Sequence, residues 1–99
     1  TDEVSLIPTP GHTPGHVSVL IQSKGQSAVI TGDMMHNPIQ IAVPEIEARF
    51  DMDKSAGART RSEFVRRFNG TPTLVIGSHF SEPTAGHIIA DGAAWKLKV

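Results

Sequence analysis

The chain has 99 residues, a formal net charge of −1, 38% apolar residues and no Cys, which allows one modest core and excludes a disulfide framework or a thiolate metal site. Charged residues make up 19%, too few for a disordered polyelectrolyte, and their near-balance gives no electrostatic reason to expect nucleic acid as a partner. No apolar run approaches the roughly 18 residues of a membrane span, so no membrane partner is expected.

The chain opens TDEVSL, with neither Met nor an apolar leader, which reads as a fragment or a trimmed chain. Nothing in it assigns a compartment. Residues 4–7 (VSLI) suit a short strand ended by Pro8 and Pro10. Residues 8–16 (PTPGHTPGH) read as a rigid turn segment, because Pro presets φ and Gly admits unusual conformations. Val17 to Gln22 is a strand rich in β-branched residues, Ser23 to Gln26 a polar turn, and Ser27 to Thr31 a second strand running into Gly32-Asp33.

An irregular stretch is expected from Met34 to about Asp53, interrupted by Pro38 and Pro44. A helix over Lys54–Phe68 follows, capped by Asp53 or Ser55 and stopped at Asn69-Gly70. Its apolar side would carry Ala58, Val65 and Phe68. Arg59, Arg61, Arg66 and Arg67 would form a solvated basic face. Thr73 to Ser78 is a third strand running into His79. A last hairpin turns at Asp91-Gly92, with Trp95, Leu97 and Val99 on one face of its second arm. Fold class is therefore α/β, or α+β by some schemes, with mostly antiparallel strands and one main helix.

Polar groups at strand ends are where sites are built. His12 and His16 precede a strand, while Asp33 and His79 each follow one. If the two strands around the turn 23–26 pair with Gln22 opposite Ser27, the same register sets His16 opposite Asp33. Directly opposed residues have Cβ atoms about 4.5–5.5 Å apart, a separation that suits two ligands of one ion. Imidazole and carboxylate together suit zinc and other divalent metals. The competing reading makes His16 and His79 turn residues and Asp33 a loop cap.

Thr9-Pro10-Gly11-His12-Thr13-Pro14-Gly15-His16, then Thr31-Gly32-Asp33, then Gly77-Ser78-His79-Phe80 resemble, in order and spacing, the later metal-binding motifs of the metallo-β-lactamase superfamily. GDMMHNP, FDMDKSAGARTR and PTAGHI resemble the branch containing methyl-parathion-hydrolase-like and quorum-quenching-lactonase-like enzymes. The resemblance implies that residues 1–99 are a partial domain, the C-terminal half of an αβ/βα sandwich. It further implies that His16 binds a first metal, Asp33 bridges two, and His79 binds the second, zinc being the expected ion. The implied function is part of a metal-dependent hydrolase that cleaves an ester, lactone or phosphotriester by metal-bound hydroxide.

The family's HxHxDH motif, the source of about four further ligands of such a two-metal site, is absent, and no HxH occurs anywhere in the chain. The isolated chain is therefore expected to be incomplete and inactive. It would be completed by a missing N-terminal half. The alternative is a non-catalytic half-domain that self-associates or pairs with another chain. The resemblance gives His12 a role in holding the shape of its loop. His36 is expected as an exposed loop residue, with substrate contact or ligand orientation as the other option. His87 receives no role. Asp51 and Asp53 make a D-x-D without the Gly and Glu of a calcium loop, and capping accounts for Asp53. Met34 and Met35 line a pocket or fill the core, and Ile39, Ile41, Val43, Ile46 and Phe50 are candidates for substrate contact.

Overall fold

The β-branched runs become the strands of one sheet. The structure, a computed structural model, describes residues 3–99; the first two residues of the expected 1–99 unit lie outside the described residues. β1 (Val4–Pro8), β2 (Val17–Ser23) and β3 (Gln26–Ile30) form an antiparallel meander. The β2–β3 ladder pairs Gln22 with Ser27 and Val19 with Ile30, the register inferred from sequence. The turn is tighter than expected, because Ser23 pairs with Gln26 and only Lys24-Gly25 are left to make the bend. Both have positive φ, 53° and 77°, the backbone sense that matches the twist of a hairpin.

β4 (Leu74–Ile76) lies parallel to β3, and β5 (Ala85–Asp91) and β6 (Ala94–Lys98) continue antiparallel, so the six strands lie side by side in chain order. A parallel neighbour needs a long crossover. Residues 31–73 supply it through a 3₁₀ turn (Gly32–Met34), a short helix α1 (Ile39–Ala42) and the long helix α2 (Lys54–Phe68). α1 falls in the stretch expected to be irregular. The Asn37 side chain accepts the Ile39 N–H at 3.0 Å, and Pro38 supplies a helical φ of −55°. The sequence Asn-Pro is thus a helix start.

α2 has the bounds read from sequence. Asp53 accepts the Ala56 N–H at 2.9 Å. Its buried residues are Gly57, Thr60, Arg61, Phe64, Val65 and Phe68, and of these Phe64, Val65 and Phe68 share the core with Leu20, Val29, Val75 and Ile88 of the sheet. Ala58 is only half-buried. Arg61, expected on the solvated basic face, is instead fully buried. Both Met34 and Met35 are core residues. The radius of gyration is 12.6 Å, close to the roughly 13 Å of a compact domain of about 100 residues.

The other face of the sheet is open. Ile21 pairs with Ala28 and Ala28 with Leu74, and His87 lies one residue beyond the Val75–Gly86 pair, so that these four half-buried residues make one row across adjacent strands. They line a groove of about 540 Å³ together with Pro72 and the β2–β3 turn.

Candidate metal centre

Three chain segments meet at the end of the sheet where β2 begins and β3 and β4 finish. The first carries His12. Its loop is fixed on the α2 side by two backbone hydrogen bonds, Met52 N–H to His12 O (3.1 Å) and Asp53 N–H to Gly11 O (2.9 Å). The second carries Asp33. The Thr31 N–H bonds Ile76 O at 3.0 Å, and then Gly32, at φ 62°, starts the 3₁₀ turn. The third is the loop after β4, tied to the second by the Gly32 N–H to Ser78 Oγ bond at 3.1 Å.

Asp33 is at the centre. Its Oδ1 is hydrogen-bonded to His79 Nε2, and its Oδ2 lies 3.7 Å from His12 Nε2. The hydrogen bond from His79 is the main reason that the Asp33 carboxyl titrates below its ordinary range; burial opposes it, and the field of the imidazoles of His79, His12 and His36 adds to the lowering. His36 stacks on His79, with ring centroids 4.7 Å apart and planes at 22°, and lies 5.6 Å from the His12 ring. Burial pushes the His36 imidazole below its usual range, and the neighbouring His79 and His12 reinforce that. His36 is thus a half-buried member of the cluster, in place of the solvent-exposed residue expected. Asp33, His36 and His79 can each bring one ligand atom to within 4.8 Å of the other two.

His16 takes a different position from the one expected. Sequence register brings it to Asp33, but to the backbone: its Nε2 accepts the Asp33 N–H at 2.9 Å, and its Nδ1 bonds Thr9 Oγ1 at 2.9 Å. Both ring nitrogens are therefore engaged, and neither faces the Asp33 carboxylate. The reason is local. The β2–β3 ladder ends at Val19–Ile30, and the turn at Gly32 swings the Asp33 side chain away from the strand direction. Thr9 is itself held by Ser18 Oγ at 3.0 Å, and Ser18 donates to Thr31 O at 3.0 Å.

Sequence reasoning missed Asp51. Both its side chain and that of Arg61 are completely buried, and they form an ion pair at 2.8 Å. The other Asp51 oxygen meets His12 Nδ1 at 3.3 Å. The signal available was the D-x-D itself: with Asp53 used as the cap, an unassigned acid remained two residues before that cap, ahead of a helix carrying Arg61.

The donor set suits a divalent metal. Imidazole nitrogens and a carboxylate bind zinc at about 2.0–2.2 Å. Two such ligands on a tetrahedral ion are then separated by about 3.3 Å, near the His12–Asp33 spacing of 3.7 Å.

The sequence matches the family model described as the metallo-beta-lactamase superfamily over residues 2–89. No curated protein matches it significantly. Among solved structures, it is similar to a hydrolase, AbOPH, of the beta-lactamase superfamily, with 31% identity, TM-score 0.87, 98% of this chain and 34% of that one covered. It has the fold of AidC, a dizinc quorum-quenching lactonase (21% identity, TM-score 0.88, 98% and 33% covered). A probable metal-dependent hydrolase from Staphylococcus aureus has the same fold (21%, TM-score 0.81, 99% and 36%). The chain spans about a third of the length of these proteins.

Proposed function

The chain belongs to the metallo-β-lactamase superfamily, and from that premise we propose that it is part of a metal-dependent hydrolase of an ester, lactone or phosphotriester. The observation that carries the proposal is the orientation of the Asp33 carboxylate, one oxygen toward His12 and the other toward His79. A carboxylate so placed could serve metal on both of its oxygens, with His12 beside one oxygen and His79 beside the other. His12 replaces His16 as the ligand in this reading, because the His16 nitrogens are committed to Thr9 and the Asp33 amide.

Zinc at such a centre would polarise the electrophilic carbonyl or phosphoryl group and lower the pKa of a water. The residues of this chain have separable tasks. His12, Asp33 and His79 would hold the ion. His16 fixes the Asp33 backbone. His36, kept neutral by its burial, offers a ring nitrogen beside the centre for exchanging a proton with substrate. The exposed side chains of Ile39, Ile46, Phe50 and Met52, on the segment after Asp33, provide apolar surface for a substrate's non-reacting part. The remaining ligands are expected from outside these 99 residues, so the isolated chain should not turn over.

The test is zinc affinity of the chain beside His12→Ala, Asp33→Ala, His79→Ala and His16→Ala. Each of the first three should lose most of the affinity. Unchanged binding in all three would end the proposal, and loss in His16→Ala alone would return the ligand role to His16.

A second reading, a half-domain that pairs through its sheet with another chain or with itself, is favoured by the open row Ile21, Ala28, Leu74 and His87. Large apolar surface promotes association. Size-exclusion chromatography of the chain and of Leu74→Glu tests it: a dimer abolished by the substitution supports it, and a monomer in both opposes it.

A further inference from the structure

The fully buried pair of Arg61 and Asp51 has no part in holding metal directly, and a fully buried ion pair is a weak source of stability. Its geometry suggests another use. Arg61 directs every arm of its guanidinium at the loops of the site: Nε to Pro44 O at 3.1 Å, Nη2 to Ile46 O at 2.7 Å, and Nη1 to Met34 O at 3.3 Å and Asp51 Oδ2 at 2.8 Å. Met34 is the residue next to Asp33. The Asp51 carboxylate, fixed by Arg61, turns its free oxygen to His12 Nδ1 at 3.3 Å.

We infer that Asp51 is a positioning residue that sets the tautomer of His12, with Arg61 as its anchor. This rests on the reading of His12 as a ligand. A carboxylate paired with a guanidinium has only acceptor atoms to offer. The neutral His12 ring must then carry its proton on Nδ1, which leaves the Nε2 lone pair directed toward the Asp33 carboxylate 3.7 Å away. Two acceptors face each other there, and a cation between them satisfies both. Carboxylates that hold the far nitrogen of a metal-binding imidazole fix its orientation and raise its basicity, and their loss typically lowers metal affinity 10–100-fold.

Asp51→Asn makes the inference sharp. An amide presents one acceptor and one donor. Arg61 requires the acceptor, so the Asn side chain must aim its NH₂ at His12 Nδ1. That nitrogen then becomes the acceptor, and the proton moves to Nε2, where it blocks the metal.

The experiment is a long-range ¹H–¹⁵N correlation spectrum of the ¹⁵N-histidine-labelled chain, recorded at about pH 8.5, above the ordinary imidazole range. Wild-type His12 should show the Nδ1–H tautomer. Asp51→Asn should show Nε2–H in a chain whose amide spectrum stays dispersed, with cobalt(II) affinity reduced 10–100-fold. Wild-type His12 in the Nε2–H form overturns the inference without any variant having to fold. If His12→Ala loses cobalt but Asp51→Asn keeps the Nδ1–H tautomer, the inference fails and the metal reading stands. If His12→Ala binds cobalt as tightly as wild type, the metal reading fails and takes the inference with it.

Discussion

Gly11 and Gly57 lie backbone against backbone. A methyl group built on Gly11 would overlap the Gly57 N and Cα atoms, and one built on Gly57 would overlap Asp51 Oδ2. Gly11 also holds φ at 137°, outside the range of ordinary residues. The loop that bears His12 therefore rests directly on the first turn of α2, and its position is set by backbone atoms before any side chain contributes.

Gly11→Ala should accordingly destabilise the fold by on the order of 3 kcal/mol, from overpacking and backbone strain together. Urea denaturation checks it. A change below about 0.5 kcal/mol, the usual range of surface substitutions, would mean that the loop can lift off the helix freely.

Arg61→Ala removes one partner of a buried pair and strands the Asp51 carboxylate away from water. The expected cost is about 3–5 kcal/mol. Asp51→Leu with Arg61→Met, which removes both charges, should recover the part due to the stranded carboxylate, but not the part due to the Pro44, Met34 and Ile46 carbonyls left without a donor, and none of the metal affinity. The contrast between stability and cobalt binding in the double variant separates holding the fold from orienting His12.

His16 makes its contribution through the Asp33 amide, so His16→Ala should weaken cobalt binding 10–100-fold and leave the number of nitrogen donors unaltered. The His12→Ala spectrum should lose one. Electronic absorption of the two cobalt-loaded variants reads this directly.

His36 provides a pH signature. Its folded-state pKa lies below the ordinary imidazole value of about 6.5 because burial disfavours the charged form. Between those two values the unfolded chain binds more protons than the folded one. The contribution of neutral His36 is thus intact above about pH 6.5 and is lost as pH falls through the folded-state pKa. Measured against wild type, His36→Gln should lose less stability between about pH 7 and pH 5. An NMR titration midpoint for His36 at or above the ordinary value would refute the burial argument.

Local grammar made much of this fold legible. The Asp53 cap and the Asn69-Gly70 stop bound α2, and the alternation of Trp95, Lys96, Leu97 and Lys98 fixed the last strand's inner face. The sum rule of an antiparallel ladder gave the β2–β3 register and brought His16 to Asp33. What it could not give was which part of Asp33 His16 meets, since that depends on a turn at Gly32 beyond the end of the ladder. Periodicity also put Arg61 among the solvated arginines. Its burial is a tertiary fact, decided by an acid ten residues upstream and by three loop carbonyls. Pro38 and Pro44 marked the stretch after Met34 as irregular, yet Asn37-Pro38 started a helix inside it. The interval from sequence to site was thus narrow in the strands and in α2, and wide in the loops of the crossover that carry Asp33, His36 and Asp51.

The crossover between β3 and β4 has a temporal consequence. The contacts that define the centre are remote along the chain: His12 reaches Asp51 across 39 residues and Asp33 reaches His79 across 46. None can persist until the parallel pair has closed and α2 has docked, because loop closure precedes the reward of the contact. The β1–β3 meander can form early on local turns. The histidines would converge only in the final stage, so a metal that stabilises them would act on an almost finished chain and slow its unfolding more than it speeds its folding.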